Sequence, residues 1–183
     1  MPKSLMIYDF DGTLFHSPNK ELGEQLYEKS TGKKWPFKGW WGRKESLSPP
    51  VVPEKPDQNW YVNNVVNHQK LDSADENSTV VLMTGRPYFF KNRIIQILKY
   101  NDMIFDHYFF SGQHGSVGST IFEIKKNNLI KLMSPKYNVL KIWEDRPEHI
   151  KEFSELAKEL KQKKSTIERI IIHDAVTGNM HEF

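Results

Sequence analysis

The chain has 183 residues, 38% hydrophobic and 27% charged, a balance that suits one globular domain with a proper core and room for a small insert. Lys and Arg outnumber Asp and Glu by 26 to 23, for a net charge of +3, which admits an anionic substrate but is too small to establish nucleic-acid binding. The absence of cysteine excludes disulfides, thiolate metal sites and cysteine-dependent phosphatase chemistry.

Met1-Pro2-Lys3-Ser4 leads directly into an apolar run, leaving no room for a signal peptide. No apolar stretch approaches membrane-spanning length. The expectation is an intracellular, cytoplasmic protein without a membrane partner. Residues 4–9 read as a first buried strand, Leu5-Met6-Ile7-Tyr8 running into Asp9-Phe10-Asp11-Gly12-Thr13. Two carboxylates two residues apart on a strand project in the same direction. Like charges that close tend to share a proton or a cation. The Gly-Thr turn after them lets backbone N–H groups approach an anion. Divalent cation, carboxylate nucleophile and phosphate together make a phosphoryl-transfer site.

Residues 15–78 form an unusually long connection. It holds a helix-like stretch from Lys20 to Ser30, then Trp35, Trp40 and Trp41, then Pro49, Pro50, Pro53 and Pro56, then a second helix-like stretch around 57–71. Its tryptophans argue against disorder, and a long insert here is expected to form a small cap over the site.

Residues 79–84 read as a second strand, buried on both faces and ending in Thr84-Gly85-Arg86-Pro87. Thr84 offers a hydroxyl, Gly85 admits close approach, and Pro87 can open the next helix, whose N-terminus favours a phosphate. Arg86 can pair with substrate phosphate or with a nearby carboxylate. A helix is expected over 88–100 and a third strand over 107–111. His114, in Gly112-Gln113-His114-Gly115, then lies on the active side and is a candidate for substrate contact, as is His16 at the entrance. A helix over 120–133, with Ser119 or Thr120 as N-cap, carries Lys125 and Lys126. Residues 138–143 form a fourth strand leading into Glu144-Asp145. Pro147 opens a helix over 147–163, and 168–173 form a fifth strand. The Lys161–Lys164 run reads as a solvated helix end. Asp174 to Phe183 receives no functional assignment. Alternating strands and helices predict an α/β fold, a doubly wound parallel sheet with helices on both faces. Such sheets bind ligands at strand carboxyl ends.

The order strand-DxDGT, insert, strand-TGR, helix-Lys, strand-Glu-Asp over residues 4 to about 163 resembles the haloacid dehalogenase-like (HAD) superfamily, mostly phosphohydrolases. The resemblance implies a Rossmann-like HAD core at 1–14 and 79–183 and a cap at 15–78. It implies Mg²⁺ held by Asp9, Asp145, the backbone carbonyl of Asp11 and water, with Glu144 binding directly or through water. Many members have two aspartates where this chain has Glu144-Asp145. Asp9 is then the nucleophile that becomes an aspartyl-phosphate, and Asp11 the acid and base. Thr84, a lysine (Lys125, with Lys126 as the alternative) and backbone amides around Phe10 and Gly12 are expected to bind the phosphoryl oxygens. Thr13, Gly85, Arg86 and His114 complete the expected substrate contacts.

A narrower resemblance rests on Trp40-Trp41, the Pro-rich stretch, Trp60 and Thr120-Ile121-Phe122-Glu123-Ile124-Lys125. These look like the HAD domains of Swiss-army-knife RNA-repair proteins, which implies action on phosphorylated RNA or DNA ends. Trp35, Trp40, Trp41 and Trp60, interleaved with Lys33, Lys34, Lys38, Arg43 and Lys44, either stack bases or form the core of the cap. Two alternatives stand beside this reading: a phosphatase of nucleotides or other small phosphometabolites, and a catalytically silent HAD-fold binding module.

Overall fold

The computed structural model describes residues 3–56, 77–112, 119–163 and 166–183. Its frame is a six-stranded sheet built from β1 (Ser4–Tyr8), β2 (Ser78–Pro87), β3 (His107–Ser111), β4 (Val139–Glu144), β5 (Arg169–Asp174) and β6 (Met180–Glu182) in the order β3-β2-β1-β4-β5-β6. The first five strands pair in parallel. The α-helices among the described residues are α1 (Lys20–Thr31), α2 (Lys91–Lys99), α3 (Ile121–Leu132) and α4 (Pro147–Gln162). This is the mixed α/β, doubly wound arrangement that the alternating pattern predicts. The five expected strands are present, with ends differing by a residue or so except on β2.

Alternation along each strand sorts the core into two layers. Met6 and Tyr8 of β1, Val80 and Leu82 of β2 and Trp143 of β4 face one cluster with Ile94, Ile97 and Leu98 of α2. Trp40, Leu47, Val51 and Val52 of the insert belong to that same cluster, so the described part of the insert packs onto this face of the sheet. Leu5, Ile7, Val81, Met83, Leu140 and Ile142 face the other cluster, closed by Phe122 and Leu129 of α3 and by Ile150, Phe153 and Leu156 of α4. Strands covered on both faces read as continuous apolar runs, which is how 79–83 and 170–172 stand in the sequence.

Two elements depart from expectation. β2 does not end at Thr84 but continues through Pro87, and four of its residues span the interval that two residues of β3 span between Met83↔Phe109 and Pro87↔Ser111. A 3₁₀ turn, Tyr88–Phe90, follows, and α2 begins only at Lys91 with no side-chain cap. Pro87 therefore ends a strand and does not open a helix. A proline lacks only the N–H that an irregular strand end can spare. The second departure is β6, an antiparallel edge strand whose three residues are all exposed. It lacks an apolar pattern, and its ladder is supplemented by Arg169, which donates to Glu182 at 2.7 and 3.1 Å.

α1 begins at an Asn19 cap and carries Gly23, where an added Cβ would stand 1.9 Å from the Trp40 ring. Trp40 is buried there, donates its indole N–H to the Pro18 carbonyl at 2.9 Å and packs on Trp35. α3 is started by a complete capping box between Thr120 and Glu123. The expected helix around 57–71, with Trp60, lies outside the described residues, as does His114.

Candidate active site

Strand order reverses around β1, and the carboxyl ends of β1, β2, β3 and β4 meet there, the place where such sheets bind ligands. Asp9 follows β1 directly, and its N–H continues the ladder to the Trp143 carbonyl at 3.0 Å. The chain then turns tightly, with the Phe10 carbonyl accepting from Leu14 and Phe15 N–H at 3.1 and 3.0 Å. Phe10 itself is fully buried and stacks on Phe15, anchoring the turn in the core. Gly12 has φ of 72°, and a Cβ there would lie 2.3 Å from Asp145 Oδ2. Backbone conformation and close approach thus both demand glycine. The Gly12 N–H donates to the Phe15 carbonyl at 2.9 Å, so this amide, expected to face phosphate, is engaged within the turn.

α3 carries Lys125 into the buried centre. Its Nζ donates to Asp9 Oδ1 at 2.9 Å and to Glu144 Oε2 at 2.7 Å. Of the two lysines left open by the sequence, Lys125 makes these contacts. Gly85 lets α3 approach β2, since a Cβ there would meet Ile121 at 2.9 Å. Glu144 is buried and bonded through both oxygens: Oε1 accepts from the Asp145 and Arg146 amides at 3.1 and 3.3 Å, and Oε2 also lies 3.3 Å from His149 Nδ1.

Three carboxylates share this space with one lysine. Burial, reinforced by the charges of Glu144 and Asp11, pushes Asp9 up to about 6 despite Lys125. Burial and the charge of Asp9 push Asp145 up to about 8. Burial would raise Glu144 too, but Lys125 and the hydrogen bonds from His149, Lys125 and Asp145 hold it well below the usual carboxylate range. Burial opposes the Lys125 charge, yet Asp9 and Glu144 outweigh it and keep the ammonium above its ordinary pKa.

Asp9, Glu144 and Asp145 each offer a carboxylate oxygen, all within 4.8 Å of one another. Asp145 Oδ1 is buried and has no hydrogen-bond partner among the described residues. An orphaned buried acceptor beside two more carboxylates fits a hard divalent cation with oxygen ligands. The Thr13 hydroxyl is likewise buried without a partner among the described residues.

Asp11 is held differently. Arg86 grips it bidentately, Nε to Oδ2 and Nη2 to Oδ1, both 2.8 Å, and Ser17 donates its hydroxyl to Oδ1. The remaining Nη1 donates to the Trp41 carbonyl and to Ser46 Oγ at 2.8 Å each. The guanidinium also lies between the rings of Trp41 and Phe90, 4.9 and 5.1 Å from their centroids. Of the two roles left open for Arg86, carboxylate pairing is the one it takes here. Thr84 is buried, and its Oγ1 accepts from the Arg86 amide at 3.1 Å.

A cavity of about 370 Å³ opens over these groups, lined by Asp9, Asp11, Lys125, Gly85, Arg86 and Trp41, among others. Thr84 and the exposed His16 are not part of this lining. Residues that sequence reasoning missed are Ser111, Ile121 and Arg146 on the wall, and His149, Ser17 and Ser46 behind it. Ser111 ends β3, and Arg146 follows Glu144-Asp145, so the strand-end rule would have found both. Ser17 and Ser46 carry no local signal. Trp41 is 44% exposed whereas Trp40 is buried, which divides the adjacent pair between surface and core.

Residues 17–180 match the sequence family described as HAD domain family 1 in Swiss Army Knife RNA repair proteins. The matched span begins after Asp9 and Asp11 and includes Thr84, Lys125, Glu144 and Asp145. No curated protein matches the chain. A crystal structure of the Legionella pneumophila effector Ceg4, with an N-terminal TEV protease cleavage sequence, is similar with a TM-score of 0.48 and 17% identity, covering 94% of this chain and 86% of that one.

Proposed function

The chain belongs to HAD domain family 1 of the Swiss Army Knife RNA repair proteins, and on that premise we propose that it is a Mg²⁺-dependent phosphatase acting through an aspartyl-phosphate on phosphorylated nucleic-acid ends. The family supports a hydrolase of HAD phosphohydrolase type. The observation that carries the finer reading is the Asp9–Lys125–Glu144 chain with the orphaned Asp145 oxygen beside it. It gathers a nucleophile, a fixed cation and an acidic cation site at one strand-end cavity.

Lys125 holds one oxygen of Asp9 and thereby aims the other at phosphorus. Attack forms the bond from Asp9 to phosphorus and breaks the bond to the leaving oxygen, which takes its proton from Asp11. Asp11 then takes a proton from water as the water displaces Asp9 and releases inorganic phosphate. Both Asp11 oxygens are engaged by Arg86 and Ser17, so one of these bonds opens when Asp11 carries the proton. Mg²⁺ at Asp9, Asp145 and the Asp11 carbonyl would supply charge neutralisation for the phosphoryl group, and Glu144 would keep Lys125 in place. Lys125, which lines the cavity, is the side chain that we assign to the phosphoryl oxygens, whereas the Thr13 and Thr84 hydroxyls are buried outside the lining. We read residues 15–78 as the cap, with Trp41 presented to the leaving group.

A second reading, hydrolysis of a nucleotide or other small phosphometabolite, is favoured by the cavity volume, which lies in the range of small-ligand pockets. Oligonucleotides bearing 5′-phosphate, 3′-phosphate or 2′,3′-cyclic ends, assayed with Mg²⁺ beside free nucleotides, separate the two. Turnover of free nucleotides orders of magnitude above that of every oligonucleotide would sink the nucleic-acid reading. Absence of Mg²⁺-dependent phosphate release from any substrate, p-nitrophenyl phosphate included, would leave the silent module.

A further inference from the structure

The catalytic cavity does not stop at Trp41. Gly42 lines both it and a second hollow of about 520 Å³, whose other walls are Arg43, Lys44, Glu45 and Phe89. Two large aromatic side chains on these walls are left open, Trp41 at 44% and Phe89 at 51% exposure, while Tyr88, at 46%, lines neither hollow. Tyr88 and Phe89 stand in the 3₁₀ turn just past the carboxyl end of β2, and Trp41 comes from the insert. Exposed rings on the walls of two adjoining hollows mark a surface suited to a ligand.

Cations accompany the rings. Lys44 Nζ lies 5.8 Å over the Phe89 ring and Lys91 Nζ 5.5 Å over Tyr88. Arg43 is steadied by its Nε bond to the Lys38 carbonyl at 2.9 Å. Among the described residues no carboxylate forms an ion pair with Arg43, Lys44 or Lys91. Glu45 is the single acid in the lining, against two cations. Half-exposed rings, Phe89 backed by Phe90 and topped by the Lys44 ammonium, beside cations without ion pairs match a single strand, whose bases stack without regard to sequence and whose phosphates can draw such an ammonium off the ring.

We propose that the hollow beyond Gly42 is a strand-binding subsite, in which the nucleotide next to the reacting end stacks on Phe89 and its phosphodiester meets Lys44 and Arg43. The subsite rests on the nucleic-acid reading above and adds to it a path: the strand leaves the catalytic cavity over Gly42. Neither Phe89 nor Lys44 touches the reacting groups, so they serve affinity for longer substrates and not the chemistry.

Steady-state kinetics with Mg²⁺ test this on the full chain, using an end-phosphorylated oligonucleotide of about eight residues, the matching mononucleotide, p-nitrophenyl phosphate and a phosphopeptide of equal charge. Phe89→Ala is expected to raise KM for the oligonucleotide about tenfold. Its kcat, and turnover of the mononucleotide and of p-nitrophenyl phosphate, stay within a factor of two. Lys44→Ala, an exposed surface change that keeps the proposal testable should Phe89→Ala misfold, lowers the salt slope of oligonucleotide binding by about 0.7. If wild type prefers the oligonucleotide and both variants keep that preference, the subsite is wrong while the nucleic-acid reading survives. A wild type that treats oligonucleotide and mononucleotide alike overturns both. A KM effect seen with the phosphopeptide alone overturns the subsite in favour of a protein substrate.

Discussion

Lys125 sits buried between two carboxylates at the edge of the cavity, and removing its ammonium would leave both without that counter-charge. Breaking a buried pair costs about 3–5 kcal/mol, so Lys125→Met should lower the melting temperature by roughly 10 °C as well as abolish turnover; thermal denaturation followed by circular dichroism reads the first effect separately from the second. Asp9→Asn should leave the fold in place and reduce Mg²⁺-dependent phosphate release by at least about a thousandfold, because an amide is not a nucleophile for phosphorus. Residual activity near wild type would remove Asp9 from the reaction. Arg86 offers a subtler case. A lysine there keeps the charge but loses the fork that grips both Asp11 oxygens and the two bonds to Trp41 and Ser46. Arg86→Lys is expected to lower kcat about tenfold or more while moving KM for p-nitrophenyl phosphate little, since Arg86 acts through Asp11.

At the scale of elements, the turn after β1 and the start of α3 decide whether these residues meet. Gly12 is pressed against Asp145 and holds a positive φ. Gly12→Ala must therefore displace either the turn or the Asp145 carboxylate. The expected result is a weakening of Mg²⁺ affinity by about tenfold or more, measured by titrating activity with the metal, with a smaller loss of stability. Thr120 closes the capping box that starts α3. Thr120→Ala should cost about 1 kcal/mol of stability and, by loosening the turn that precedes Lys125, slightly lower kcat. β2 shows how an element can hold a site by breaking its own regularity. Its extension to Pro87, out of step with β3, turns Arg86 inward, where a strand ending at Thr84 would have released it into a helix cap.

Across the whole molecule, the charge balance of the cavity ties stability to pH and metal. Asp9 and Asp145 have native pKa values of about 6 and about 8, both above their unfolded values. Between those limits the folded state holds protons that the unfolded chain has released, so stability of the metal-free protein falls as pH rises from about 4 to about 8. Glu144 runs the other way: it is held low, and its contribution is lost progressively as pH falls below its unfolded value of about 4.5. The prediction is a melting temperature on the order of 5 °C lower at pH 8.5 than at pH 5.5 in chelator. Addition of Mg²⁺ at the higher pH should recover it, as binding to the folded state alone requires. A melting temperature independent of both pH and Mg²⁺ would contradict the acidic cluster as a cation site. No helix among the described residues is long and apolar enough to cross a membrane.

The strands and helices of the sheet were legible because each is a local pattern: an apolar run, a helical period, a cap or a starting proline, all read from residues a few places apart. The same holds for Asp9, Asp11 and the Glu144-Asp145 pair, which stand where strands end. β6 escaped because three exposed residues carry no period, and Pro87 misled because a proline after a strand marks a helix start and a strand end alike. The sequence alone determined the family, the α/β class and the acidic strand ends. Only the tertiary structure decided that Arg86 holds Asp11, that Lys125 bridges Asp9 and Glu144, and that Trp40 turns into the core while Trp41 faces the cavity. Those contacts join residues 75, 116 and 19 positions apart in the cases of Arg86–Asp11, Lys125–Asp9 and Lys125–Glu144, and no local rule of spacing reaches across such distances once the chain has turned back on itself.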